Sequence, residues 1–420
     1  MTALLTSLAE GFTGSAARRA ALDAALAAGL PPARNEAWKY TPLKALERRS
    51  FTPAPATAQL ADASLVAAIP APRLVLVNGR VDSAASDLSG LPAGLSVQLL
   101  SELLAEGEDN ARFLARQYDK PEDIFARLNG ALANEGVVVK VDEHIQVAAP
   151  LHLVFVAQGD DTELAWHLRH FIELRSGASL QLVEHHLQAG TAKHLVNTVV
   201  HAHLATGAAL QHARVQAQGD GLTSLLRTDA VLARDARYNR VDLELGAALS
   251  RHELNARLEG DNAQLTANGV LLGSGRRHID TRLGIEHIAR DTACELLWRG
   301  VGAERSRVVF HGGIAIRAGA DGTNANLSNK NLLLSATAEI DTQPVLVIDA
   351  DEVQAAHGAT VGQLDPNALF YLRSRGIDAE TARAMLSAAF CVEPLTAVDE
   401  QLRQALTGYL HTALQKAGMA

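Results

Sequence analysis

The stretch Asp349–Gly376, DADEVQAAHGATVGQLDPNALFYLRSRG, changes texture twice along its length. Acidic, alternating residues lead into a small-residue turn that carries His357. A helix signature follows, because Asp365 is a good N-cap, Pro366 suits the first turn and Gly376 suits a helix end. The stretch is therefore a seam between a β-rich body and a helical tail. His357, its one good metal or acid/base ligand, sits on that seam after two alanines and before a glycine.

Upstream lies the body. From Gly136 onward, short runs rich in branched apolar residues read as strands: Val137–Val141, Leu151–Val156, Leu168–Leu174, Leu180–His185 and His194–His203. A loose motif recurs at Gly177-Ala178-Ser179-Leu180, Gly207-Ala208-Ala209-Leu210 and Gly246-Ala247-Ala248-Leu249. Its unequal spacing rejects a strict sequence repeat but fits stacked coils with variable loops. Asn324, Asn326, Asn329 and Asn331 suit turns, or amide ladders between coils. Such a run of short strands leaves a β-helix or a large sandwich or barrel, and periodicity does not choose between them.

Outward from the body the chain turns helical. Ser15 can cap a helix over Ala16–Ala28 that Gly29 ends, and a Pro/Ala-rich stretch from Thr52 to Pro72 reads as linker. Leu74–Val77 reads as a short strand, and Ser101–Gln117 and Pro121–Asn134 as helices. In the tail, Asp378 caps a helix towards Phe390, Pro394 interrupts, and Leu402, Leu406, Leu410 and Leu414 stripe a last helix. The expected organisation is a helical region with linker over 1–135, a β core over 136–350 and a helical domain over 351–420.

Composition narrows the function classes. The 420 residues carry a net charge of −9, which opposes general nucleic-acid binding. Aromatic residues are 4%, too sparse for a base-stacking platform. Two cysteines, Cys294 and Cys391, cannot form a disulfide framework or a four-thiolate site. No apolar run reaches the ~18 residues of a membrane span, and the amino terminus reads as a helix, not a signal peptide. A soluble, cytoplasmic protein is expected.

Several residue groups carry candidate chemistry. His185, His186, His194, His201, His203 and His212 crowd the middle region, with Glu184 as the obvious carboxylate. His201 and His203 would share one face of a strand, although a polar outer face of a coil is the simpler reading. His311-Gly312-Gly313 looks like an oxyanion-hole dipeptide region, but no Gly-x-Ser-x-Gly elbow accompanies it, so a tight coil corner is expected. Gly273-Ser274-Gly275 lacks the lysine of a phosphate loop. Both cysteines read as small buried hydrophobes. Arg373 and Arg375 are placed to brace the seam against Asp349 or Asp351.

The seam resembles a known family. His357-Gly358-Ala359-Thr360-Val361-Gly362-Gln363-Leu364-Asp365, followed by Phe370-Tyr371-Leu372-Arg373-Ser374-Arg375-Gly376-Ile377, is similar to the signature of the SufB/SufD scaffold proteins of iron–sulfur cluster assembly. The likeness extends to Asn331–Ser335, Pro344 and Ala388-Ala389-Phe390, and Asn35–Thr41 resembles an amino-terminal motif of the D-type subunit, SufD. The resemblance implies a mainly β fold, a right-handed parallel β-helix flanked by α-helical regions. It implies a non-catalytic subunit of a SufB–SufC–SufD complex, with His357 as a ligand for iron or a transient, shared cluster at the SufB interface. A SufC ABC-type ATPase would dock on the carboxy-terminal helices, and the isolated chain could form a homodimer. Complexes of relatives are linked to reduced flavin, for which no residue here can be assigned. One departure stands out: many relatives have a cysteine where this chain has Ala355. The alternative is a β-helix polysaccharide lyase or hydrolase, which needs paired carboxylates or a calcium site in a groove.

Overall fold

A computed structural model describes residues 2–115, 118, 120–159 and 162–419. It is mainly β, a parallel solenoid with helices at both ends. Its strands alternate between two ten-stranded sheets, so each coil contributes one strand to each sheet. In the second sheet the strands start at Ser179, Ala209, Arg237, Gln264, Ala293, Asn324 and Gln354. The first sheet holds the strands between them, from Leu164–Leu174 to Glu339–Ile348. Neighbouring strands pair in register, so identical positions of successive coils stack into rows.

This stacking explains the loose glycine motif. Gly177 and Gly207, both at positive φ, turn two successive coils into the second sheet. The Gly246 copy lies at the opposite corner, entering the first-sheet strand Leu249–Leu258, and there Ala247 takes the positive φ. Two corners share one local signature, hence the unequal steps. His311-Gly312-Gly313 is not a corner. It lies inside the strand Arg307–Ile316, where a Cβ on Gly312 would stand 2.3 Å from a Leu327 methyl.

The ends of the solenoid differ. At the amino-terminal end the antiparallel strands Arg80–Val81 and Leu95–Leu99 close the two sheets. Helix α2 (Ala16–Ala28) starts on the expected cap, Ser15, and the amino-terminal helix α1 (Ala3–Glu10) starts on Thr2. Helix α3 (Leu100–Glu106) is shorter than expected; a 3-10 turn takes over through Ala115, and residues 116 and 117 of the expected helix lie outside the described residues. Helix α4 (Ile124–Leu132) joins α1 and α2 in packing on the outer face of the first sheet at Ala165, Leu195 and Leu225. The stretch from Thr52 to Pro72 is packed rather than loose: Thr52 and Pro53 pair with Leu164 and Ala165, and Val66 and Ile69 are buried.

At the other end the last strand, Gln354–Gly362, carries the solenoid past the boundary expected at residue 350. Helix α5 (Pro366–Ser374) starts on its Asp365 cap, followed by α6 (Ala379–Val392) and α7 (Glu400–Lys416). The Leu402, Leu406, Leu410 and Leu414 stripe of α7 is buried against Val183, Val215, Leu243 and Leu272 on the outer face of the second sheet. Polar anchors complete this contact. Arg299 pairs with Glu393 at 2.6 Å, and Gln181 and Gln211 both donate to Asp399. No described helix is long and apolar enough to cross a membrane.

Candidate functional site

His357 belongs to the inward row of the second sheet that runs through Leu182, His212, Arg240, Ala267, Leu296 and Leu327. Every earlier member of that row has a coil on either side. His357 has one behind it and none ahead, because Gln354–Gly362 ends its sheet. The imidazole is exposed, and no hydrogen bond or ion pair holds it among the described residues. Ala355, two residues earlier on the same face, packs against the core at the Leu180–Ala325 row.

The rim around His357 is unusually apolar. Val347 and Ile348 on the last strand of the first sheet are 46% and 44% exposed, and Val361 is 43% exposed. Ile340 and Leu346 are also partly uncovered. Both terminal strands carry unpaired backbone edges, a feature that ordinarily invites pairing with another chain. Pro344 sits in one of them, where a missing N–H is tolerated. Beyond the rim, Phe370 and Tyr371 of α5 are 73% and 58% exposed, and Met385 of α6 is 47% exposed.

The expected brace does not form. Asp349 lies 4.0 Å from Arg317, while Arg375 folds over the Tyr371 ring of its own helix. The aliphatic rim had no signal of its own in the sequence, since Val347, Ile348 and Val361 look like ordinary strand residues. Exposure depends on the coil that fails to follow.

The histidine group is not one site. His201 and His203 lie on the outer face of the first sheet, His203 edge-on to Phe171. His186 and His212 are inside the solenoid, contrary to the outer-face expectation. Glu184 gathers them, accepting from His186 Nε2 at 3.0 Å and His212 Nε2 at 3.1 Å. Tyr238 accepts from Arg240 and donates to His212 Nδ1, so His212 is neutral with its proton on Nε2. Asp242 accepts from both Arg214 and Arg240, and Glu244 contacts Arg214 and accepts from Ser250. Arg240 also donates to His252 Nε2, which puts the ring proton on Nδ1, 3.3 Å from Glu244. Burial lowers the pKa of all three imidazoles, while hydrogen bonds from His186 and His212 hold Glu184 well below the carboxylate range despite its burial. This buried cluster links the middle coils through hydrogen bonds and ion pairs. Among the described residues no group of three or more His, Cys, Asp or Glu side chains is arranged to hold a metal.

His185 points outward, in a chain from His152 Nδ1 through His185 to the Tyr409 hydroxyl of α7, each step 3.0 Å. Cys294 and Cys391 are buried, as expected, and burial pushes both thiols up to about 12. The amino-terminal motif Asn35–Thr41 clasps the outer face of the first sheet. Trp38 donates to the Glu122 carbonyl and lies under the Arg251 guanidinium at 3.8 Å, and Thr41 donates to Asp280. The nearby acids Asp123, Asp229, Glu253 and Asp280 are each engaged by a guanidinium.

Comparison with known proteins agrees with this geometry. Residues 155–390 match the family described as SUF system FeS cluster assembly, SufBD core domain, and residues 13–153 match the SufBD protein N-terminal region. The chain is 32% identical to the iron–sulfur cluster assembly protein SufD of Escherichia coli, over 94% of this chain and 92% of that protein. It is 29% identical to an iron–sulfur cluster assembly SufBD family protein of Synechocystis, over 93% and 90% of the two chains. SufD of Bacillus subtilis is 27% identical over 72% of each chain.

Proposed function

The chain belongs to the SufB/SufD family of iron–sulfur cluster assembly proteins, is most like SufD within it, and on that premise we propose that it is a non-catalytic scaffold whose open solenoid end is half of an assembly site. The other half comes from a SufB-like subunit, whose own terminal coil abuts the unpaired edges of Glu339–Ile348 and Gln354–Gly362. His357 supplies an imidazole to iron or to a nascent cluster, which is cargo and not a resident cofactor. The partner supplies the thiolates, since both cysteines here are buried. Imidazole in place of thiolate alters a cluster's charge and lability, which suits transient binding.

The observation that carries this reading is His357 itself, exposed on an inward row at a solenoid end rimmed by apolar side chains. The SufC-type ATPase docks on the helical tail, where Phe370, Tyr371 and Met385 offer an exposed apolar surface. Without a SufB-like partner, two copies of the chain cover each other's open ends. The complex works in the cytoplasm. Ala355 means that this site operates without the thiol many relatives have there, so His357 bears more of the ligand role. No residue is assigned to flavin.

The test uses the chain co-purified with its SufB-like and ATPase partners. His357→Ala should leave the complex assembled and cut cluster formation at least tenfold, followed by visible absorbance after iron and sulfide loading. Undiminished cluster formation would remove the ligand role. Failure of Val361→Asp to weaken the complex would remove the interface.

A further inference from the structure

A groove of about 460 Å3 lies between the amino-terminal segment and the outer face of the first sheet, on the opposite side of that sheet from the inward rows. This volume suits a small molecule. One in-register row crosses it, Arg227, Glu253, Arg282 and His311 on four successive coils. Arg227 engages Asp123, Asp229 and Glu253, and Arg251 engages Glu253 and Asp280. Arg282 stands beside a carboxylate that two other guanidiniums already hold. It is partly buried, and no hydrogen bond or ion pair reaches it among the described residues. Burial, reinforced by Arg251, lowers its pKa, the sign of a cation lacking adequate compensation.

The next coil offers no acid. Its position in the row is His311, whose Nδ1 is buried without a partner. The adjoining row contributes Gly284 and Gly313, which add no side chain of their own to the groove floor; Asn255 Oδ1 lies over Gly284 and the His311 ring over Gly313. The ladder of alternating charges is thus interrupted where an acid would complete it, and a partly buried guanidinium with unmet donors is costly.

We propose that this groove binds a small molecule through a single oxyanion, a carboxylate or a phosphate, seated on the Arg282 guanidinium and the His311 ring. The planar fork of Arg282 matches either group. Glu122 and Asp123 line the same groove and oppose a second negative charge nearby, so a polyphosphate is disfavoured.

Titration calorimetry of the full chain at pH 7.5 and low ionic strength, with inorganic phosphate and separately with acetate, tests this. Saturable one-site binding of either anion is expected, and the one preferred identifies the ligand's head group as phosphate or carboxylate. Arg282→Gln should weaken that binding at least tenfold, and His311→Asn severalfold, while Arg305→Gln at an exposed corner leaves it unchanged. Far-UV circular dichroism checks folding, and if Arg282→Gln does not fold, His311→Asn decides. No saturable binding of either anion, or unaltered binding in the deciding variant, would overturn the proposal, as would pyrophosphate binding tighter than phosphate.

Discussion

His212 and His357 stand on the same inward row of the same sheet, five coils apart, and have opposite fates. His212 is fully buried, fixed in one tautomer between Glu184 and Tyr238. His357 faces solvent at the last coil. The backbone is alike in both places, so the side chain's role follows from whether another coil stacks on it. A coil on each side makes an imidazole structural, and a missing coil leaves its nitrogens available. The two ends of the solenoid repeat the lesson. Antiparallel strands close the amino-terminal end, whereas the carboxy-terminal end keeps bare edges and an apolar rim.

The sharpest way to separate the two regions is pH. Many of the histidines have pKa values lowered chiefly by burial, among them His170 and His287 to about 4 and His185 to about 3. In the unfolded chain these rings take protons near pH 6.5, while burial keeps them neutral to lower pH in the folded chain. Stability is therefore complete above about pH 7 and falls as pH drops through 6.5, by up to about 1.4 kcal/mol per pH unit for each ring. The urea midpoint should decline steeply between pH 7.5 and 5.5. A flat midpoint across that window would mean the buried cluster is hydrated and its imidazoles titrate normally.

Asp242→Ala comes next. It leaves Arg214 and Arg240 buried without their shared acceptor, and breaking such a pair costs about 3–5 kcal/mol. Denaturant unfolding at pH 7.5 measures it, and a loss under about 1 kcal/mol would show that water replaces the carboxylate. The smallest effect belongs to the open end. His357→Ala should change stability by less than about 0.5 kcal/mol, as surface substitutions do. A loss comparable to that of His212→Ala would erase the contrast between the interior and the open end of the row.

Much of the local structure was legible. Ser15, Asp365 and Asp378 cap helices as expected because capping is a short-range hydrogen-bond pattern. The α7 leucine stripe is buried as its spacing implied. The strands were recognisable from Val137 onward, yet their inward and outward faces were not. A polar residue normally marks the outer face of a strand, and here Glu184, Arg214, Arg240 and Asp242 point inward. Glu184 meets His212 and Arg214 meets Asp242, each 28 positions away in the chain, a separation that no local pattern reveals.

By itself, the sequence determined which segments become strands, where helices begin and end, and through its seam motif which family the chain resembles. Those properties depend on backbone preferences and neighbouring side chains. Only the tertiary structure decided which histidine is buried, which carboxylates two guanidiniums share and which end of the solenoid stays open. Stacking brings residues about one coil apart in sequence to within a strand's spacing in space, and burial and charge are set across that distance.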